Sequence, residues 1–293
     1  TQAGPARYPV GAQVALVIRT STTSLRTMST HTHVAETYSA KTQKFFRKRL
    51  KDLHARFASQ LRGEAELVQK HGGGAKDVYE VYGDREMRAF ETDSCEGLRG
   101  GEVQQISLRE VRDAYLEPVG KAIEQLRKDV DRPLRVLEVG CGNATNLMLL
   151  NQRFPGVAFS GIDIAEGRIA EGRKYWGERL TSVELAQASA TDLSLFADKS
   201  FDLVYSVCAL EQIPYSLGDA VREMVRLADR RIVCVEPVFE FGNEAQRLYN
   251  VVSDQVRTLL PELVRQCTTV ERHGLLPTLH NPLNPVGLLV ATP

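Results

Sequence analysis

The sequence lacks the usual marks of several large classes of protein. Its five cysteines, Cys95, Cys141, Cys208, Cys234 and Cys267, are odd in number, scattered, and include no CxxC pair. That excludes a disulfide framework and a zinc ribbon and fits reduced thiols in a cytosolic-type compartment. No apolar run approaches the about 20 residues of a membrane helix, so no membrane span is expected. Net charge is also missing, with 37 basic and 37 acidic residues, so no bulk attraction to nucleic acid is implied. Histidines are few and dispersed, and no carboxylate pair has ligand spacing, so no metal is expected.

Acidic residues are absent from residues 1–35, which contain Arg7, Arg19 and Arg26 and are rich in Ser and Thr. This composition resembles a transit peptide, and it resembles equally sequence translated ahead of an internal start at Met28; the second reading is preferred. The stretch has too little patterned apolar surface to build a core. A cytoplasmic location is expected, with organellar import if residues 1–27 are a transit peptide.

What is present centres on Arg135–Leu147. Val136, Leu137 and Val139 form the short apolar run of a buried parallel strand, and Gly140 and Gly142 permit a tight turn that lets backbone lie against a ligand. Roughly 20 residues on, where a nucleotide site needs an acid for ribose hydroxyls, Val157–Gly161 and Ile162 lead to Asp163. Then come Val183–Ala188, the acidic turn at Asp192, and Ser200–Val207. The order is strand, acid, strand. A nicotinamide site would ask for a third glycine where Thr145 stands, and a diphosphate would rely on a donor array at the helix start.

With these pieces in place, residues 135 to about 237 resemble a class I S-adenosylmethionine (SAM)-dependent methyltransferase of the group acting on small molecules and lipids. The matching pieces are Leu137–Gly142, Gly161–Asp163, the Asp192 turn and Ser200–Val204. The resemblance implies an α/β fold with a Rossmann-like, seven-stranded, mostly parallel sheet covered by helices on both faces, plus an N-terminal helical lid. It implies SAM as cofactor, held by Glu138, Gly140, Cys141, Gly142 and Asn143 at the first turn, Asp163 and Ile164 at the second, Thr191, Asp192 and Leu193 at the third, and Ser206 on the fourth strand. Glu138 would help hold the methionine amino group, Asp163 the ribose, and Asp192 the adenine amino group. The family's third glycine is Ala144 here.

Three regions follow: 1–35 outside the fold, 36–130 as a helical extension and lid, and 131–293 as the cofactor-binding domain. From Lys41 to His71, Phe46, Leu50, Leu53, Phe57 and Leu61 recur at helical spacing. The basic cluster on that helix is read as a solvated face. Ser107 and Glu110 form a capping box, with Ile106 and Val111 as a staple, and Pro118 is expected to kink the helix that follows. Tyr79, Tyr82 and Tyr115 are candidate acceptor-pocket residues on the lid. Gln212 and Glu236, at strand ends, join them. Glu211, after the fourth strand, is a candidate base, and His280 is a second. A long helix is expected from Glu244 to about Leu260, and a closing antiparallel hairpin from Val264–Val270 and Gly287–Ala291.

The expected activity is methyl transfer from SAM to an O, N or C nucleophile of a small molecule or peptide, with no nucleic-acid partner and with a homodimer through the N-terminal helices as one arrangement. Two alternatives stand beside it: an RNA-modifying methyltransferase using the Lys41–Lys51 helix as platform, and a catalytically silent SAM-fold subunit.

Overall fold

The strand that dominates the sequence also lies at the middle of the sheet. The structure is a computed structural model describing residues 93–253 and 255–293; the Lys41–His71 helix, its basic cluster, Tyr79 and Tyr82 lie outside the described residues. β3 (Arg135–Val139), β4 (Ala158–Asp163), β5 (Val183–Gln187), β6 (Phe201–Val207) and β7 (Ala228–Pro237) are parallel, and β8 (Thr269–Leu275) and β10 (Val286–Thr292) close the sheet antiparallel in the order β5-β4-β3-β6-β7-β10-β8. This is the expected seven-stranded, mostly parallel sheet. Chain order runs outward from β3 to β5 and returns at β6, so β3 and β6 flank the point where an open α/β sheet leaves a crevice outside its carboxyl ends.

Burial explains why β3 reads as one unbroken apolar run: helices cover both of its faces. On one face α1 (Leu108–Leu126), α2 (Thr145–Arg153) and Trp176, at the end of α3 (Glu166–Trp176), pack with Val136, Leu203 and Tyr205. On the other, α4 (Leu217–Leu227) and α6 (Leu259–Gln266) pack with Leu137, Val139 and Val204. At about 25 cal/mol per Å² of apolar surface removed from water, these two layers supply the main driving force for folding. The capping box forms as expected: Glu110 N donates to Ser107 Oγ at 3.1 Å and Ser107 N donates to Glu110 Oε2 at 3.0 Å. Helix α1 then runs through Pro118 to Leu126 as one element.

Three expectations need correction. Residues 94–107 are not helical: β1 (Ser94–Arg99) and β2 (Glu102–Ser107) form a hairpin whose turn, Gly100-Gly101, takes φ values of 59° and 89°. Two left-handed glycines match the twist of paired strands. A short β9 (Thr278–Leu279) adds to β1. The helix expected from Glu244 to about Leu260 divides into α5 (Glu244–Val252) and α6. Between them Gln255 N bonds Asn250 O and Val256 N bonds Glu211 O, drawing the segment onto the loop after β6. Val264 therefore lies in a helix rather than a strand, and the last hairpin begins at Thr269. Among the described residues, no helix is long and apolar enough to cross a membrane.

Candidate active site

The turn after β3 is built by backbone and by two acids. Gly140 N and Cys141 N both donate to Ile162 O, at 2.8 and 2.9 Å, so the turn is tied to the neighbouring strand β4. Gly140 has φ 77°, and a Cβ on it would stand 2.3 Å from the Ala209 Cβ, so only glycine lets the loop after β6 approach this closely. Asp163 at the end of β4 joins the two turns: Oδ2 accepts from Gly142 N at 2.8 Å and Oδ1 from Ala165 N at 2.9 Å. Asn143 is also engaged in the turn, its Oδ1 accepting from Thr145 N and, at 2.7 Å, from the Thr145 hydroxyl. Its carbonyl accepts from Trp176 Nε1. Ala144, at the position of the family's third glycine, holds a left-handed φ of 57°. A Cβ is disfavoured there by about 1–2 kcal/mol, a strain sustained by the surrounding packing.

Glu138 is wholly buried on β3. Its Oε1 accepts from Asn146 Nδ2 at 2.5 Å, and its Oε2 makes no hydrogen bond among the described residues. Burial pushes its pKa up to about 7, against the opposing pull of Asn146 and of Tyr205. The Tyr205 hydroxyl acts on this carboxyl as a hydrogen-bonding group but lies outside close geometry, and a buried carboxylate oxygen held so loosely costs free energy until a better donor meets it. Cys141 is buried with its thiol pKa raised, as a small core residue should be.

The turns after β4 and β5 are more open. Ile164 is 40% exposed although apolar, and Gln187 Nε2 holds its carbonyl at 3.0 Å. The Thr191 and Ser189 hydroxyls share a hydrogen bond of 2.8 Å. Asp192 is exposed, with Oδ1 accepting from Ser194 N at 3.2 Å; bonding with Ser194 holds its pKa below the ordinary value. Leu193 is buried, its N–H bonded to Glu223 Oε2. Ser206 lies apart from Glu138. It is buried on the opposite face of the sheet, beside Cys234 and Glu236, because side chains alternate along a strand and Tyr205 takes the Glu138 face.

The loop after β6 carries the remaining chemistry. Glu236 Oε1 accepts from Ala209 N at 2.9 Å and Leu210 N at 3.2 Å, which fixes Ala209 over Gly140. Its Oε2 is buried without a hydrogen bond; burial, then the charge of Glu211, push its pKa up to about 8. Glu211 accepts from Asn284 Nδ2 at 3.0 Å and Gln255 Nε2 at 3.4 Å, and loss of water around it raises its pKa to about 7. Gln212 is exposed in the same turn. Cys208 keeps a left-handed φ of 49° at the strand end, a strained conformation for a non-glycine residue. Tyr115 is buried on α1 with its hydroxyl accepting from His280 N at 3.0 Å, and burial raises its pKa. The His280 ring has its pKa lowered by crowding and by Arg112.

The fold thus gathers Glu138, Gly140–Asn143 and Asp163 at one crevice, with Glu211, Glu236, Tyr115 and His280 around the loop after β6. Sequence reasoning missed Arg112, Asn146 and Tyr205. Asn146 carried a faint signal, an amide in the first turn of the helix after the glycine turn. The others depend on how α1 and β6 lie against β3.

Comparison with known proteins agrees with this geometry. Residues 136–231 match the family model described as a methyltransferase domain. A trans-aconitate 2-methyltransferase from Deinococcus radiodurans is 27% identical over 150 residues, 51% of this chain and 54% of that protein. An aklanonic acid methyltransferase from Streptomyces sp. (strain C5) is 33% identical over 135 residues, 44% of this chain and 59% of that protein. The chain therefore spans between half and three-fifths of the length of these relatives. A magnesium protoporphyrin IX methyltransferase from Synechocystis PCC 6803, solved with bound SAM, superposes with a TM-score of 0.53 at 17% identity, covering 76% of this chain and 96% of that one, and shares the fold. The glycine turn, the acids at successive strand ends and the shared fold agree with the domain match, which makes residues 136–231 the matched part of a class I SAM-dependent methyltransferase domain.

Proposed function

We propose that the chain transfers the methyl group of SAM to a small-molecule acceptor. The observation that supports this most is the crevice at β3 and β4: a glycine turn lined by the loop after β6, a buried Glu138 with only the neutral Asn146 and Tyr205 beside it as bonding partners, and Asp163 fixed by two backbone N–H groups. These residues fit SAM. Glu138 would take the methionine ammonium, Gly140 and Gly142 would lie against the methionine chain, Asp163 would take the ribose hydroxyls, and Ile164 and the 191–193 turn would flank the adenine. SAM supplies a sulfonium-activated methyl group.

The protein's own task is then alignment and exclusion of water. Ala209, held by Glu236, packs the loop after β6 over the glycine turn. Tyr115 and His280 join α1 to the segment after β9, so the helix and that segment form one wall. Glu211, with its pKa about 7, can accept a proton near neutrality from an acceptor that arrives protonated. A carboxylate acceptor needs no such step. The relatives named for aconitate and aklanonic acid favour an acidic acceptor.

The test is calorimetric titration of the full chain with S-adenosylhomocysteine (SAH), repeated with Asp163→Asn and Asp163→Ala. Micromolar binding that weakens about tenfold or more in the variants, about 1.4 kcal/mol, is expected. Absence of binding by folded wild-type protein would reject the proposal.

A further inference from the structure

One cation at the carboxyl edge keeps most of its hydrogen-bonding capacity unused. Arg112 lies three residues before Tyr115 on α1, so the two side chains leave the helix on the same side. It is half-buried. Its Nη1 donates to Asn146 Oδ1 at 3.1 Å, and Asn146 Nδ2 donates in turn to Glu138 Oε1. Among the described residues this is its one hydrogen bond, and it makes no ion pair. Most other arginines of known partner in the described region do the opposite: Arg132, Arg153 and Arg226 each meet at least one carboxylate, while Arg127, Arg231 and Arg247 bond only carbonyls or a neutral amide.

The position of Arg112 is as informative as its lack of a partner. Its charge acts on Glu138 from β3, on Cys208 after β6, on Tyr115 of its own helix and on His280 after β9. It therefore stands among the elements that surround the crevice. A guanidinium presents several N–H donors in a planar fork that matches a carboxylate. Here the fork is oriented by a neutral amide, and that same amide separates it from the nearest buried acid. The result is a cation and a buried carboxyl group held one side chain apart. Such a pair is complementary to a ligand that brings its own carboxylate.

We propose that Arg112 is a carboxylate-binding residue of this site. The carboxylate belongs either to the methionine end of the donor, whose ammonium Glu138 would take, or to an acidic acceptor. The inference rests on the methyltransferase reading above. Asn146 is then a positioning residue that aims both charges.

The experiment uses the full chain and its Arg112→Gln and Arg112→Lys variants. In one arm each protein is titrated with SAH and with its decarboxylated analogue, the adenosyl thioether of 3-aminopropane. If Arg112 holds the donor carboxylate, Arg112→Gln weakens SAH about tenfold or more and leaves the analogue within about twofold, with Arg112→Lys between. In the other arm the SAH-loaded proteins are titrated with trans-aconitate. If Arg112 holds an acceptor carboxylate, SAH affinity is unchanged while wild-type binding of trans-aconitate is lost in Arg112→Gln. Wild-type behaviour of Arg112→Gln in both arms would overturn the role of Arg112 and leave the methyltransferase reading standing. Failure of the wild-type chain to bind SAH would overturn both.

Discussion

The two ends of one sheet treat buried acids in opposite ways. At the amino end Asp202, wholly buried on β6, is met by the Arg132 guanidinium in a two-pronged contact of 2.8 and 2.7 Å and by Arg135 N at 2.9 Å. Burial alone would raise its pKa, but Arg132 and Arg135 hold it below the ordinary carboxylate range. At the carboxyl end Glu138 and Glu236 are equally buried, yet among the described residues neither bonds a basic side chain: Glu138 has Asn146 and Tyr205 beside it, Glu236 has Ala209 N, Leu210 N and Ser206, and burial pushes their pKa values up to about 7 and about 8. Arg112 stands close to Glu138 and bonds a neutral amide instead. An acid satisfied within the protein serves the fold. Acids and a cation left short of partners at the same edge are suited to a ligand.

The largest effect should come from disturbing the satisfied end. Asp202→Ala leaves the Arg132 and Arg135 contacts without their acceptor and should cost roughly 3–5 kcal/mol in urea denaturation. SAH affinity of the folded fraction should stay within about twofold. Next is Gly140→Ala, which forces a Cβ into a left-handed φ and against Ala209; it should cost roughly 3 kcal/mol and eliminate measurable SAH binding.

Glu138→Gln sharpens the contrast between the two ends. A carboxyl group whose folded pKa is raised binds protons more strongly in the folded state, so the stability of the ligand-free protein falls as pH rises from the ordinary glutamate range through about 7. Replacing Glu138 by the neutral amide removes that penalty, and the variant should be more stable than wild type at about pH 8 by roughly 1–3 kcal/mol. It should bind SAH about tenfold more weakly. Asp202 behaves with the other sign: its contribution is present above the ordinary aspartate pKa and is lost as pH falls through its depressed folded value. The smallest effect is expected from Ala144→Gly, which relaxes a left-handed alanine and should stabilise by about 0.5 kcal/mol in thermal melts, the greater freedom of unfolded glycine offsetting part of the gain.

The carboxyl edge was legible in sequence wherever its chemistry is local. A glycine turn at a strand end and acids at successive strand ends are patterns within a few residues, and Glu138, Gly140, Gly142 and Asp163 occupy the positions expected of them. The start of α1 was legible for the same reason, since a capping box spans four residues. Ser206 is at the expected strand end, but the two-residue period of β6 puts it on the other face of the sheet from Glu138. Arg112 and Asn146 were illegible because their meeting depends on α1 lying across α2, thirty-four residues further on. The hairpin at 94–107 was missed because its strands carry little alternation and its signal is almost wholly the Gly100-Gly101 turn.

The contrast between the two ends is tested most directly by titrating the wild-type chain with SAH across pH. If Glu138 carries a proton in the free protein and gives it up to meet the methionine ammonium, SAH affinity should rise about tenfold between about pH 6 and about pH 8, with proton release measured in buffers of different ionisation heat. The same titration of Glu138→Gln should be flat. Affinity independent of pH in the wild-type protein, with no proton released, would contradict the assignment of the Glu138 carboxylate to the ligand.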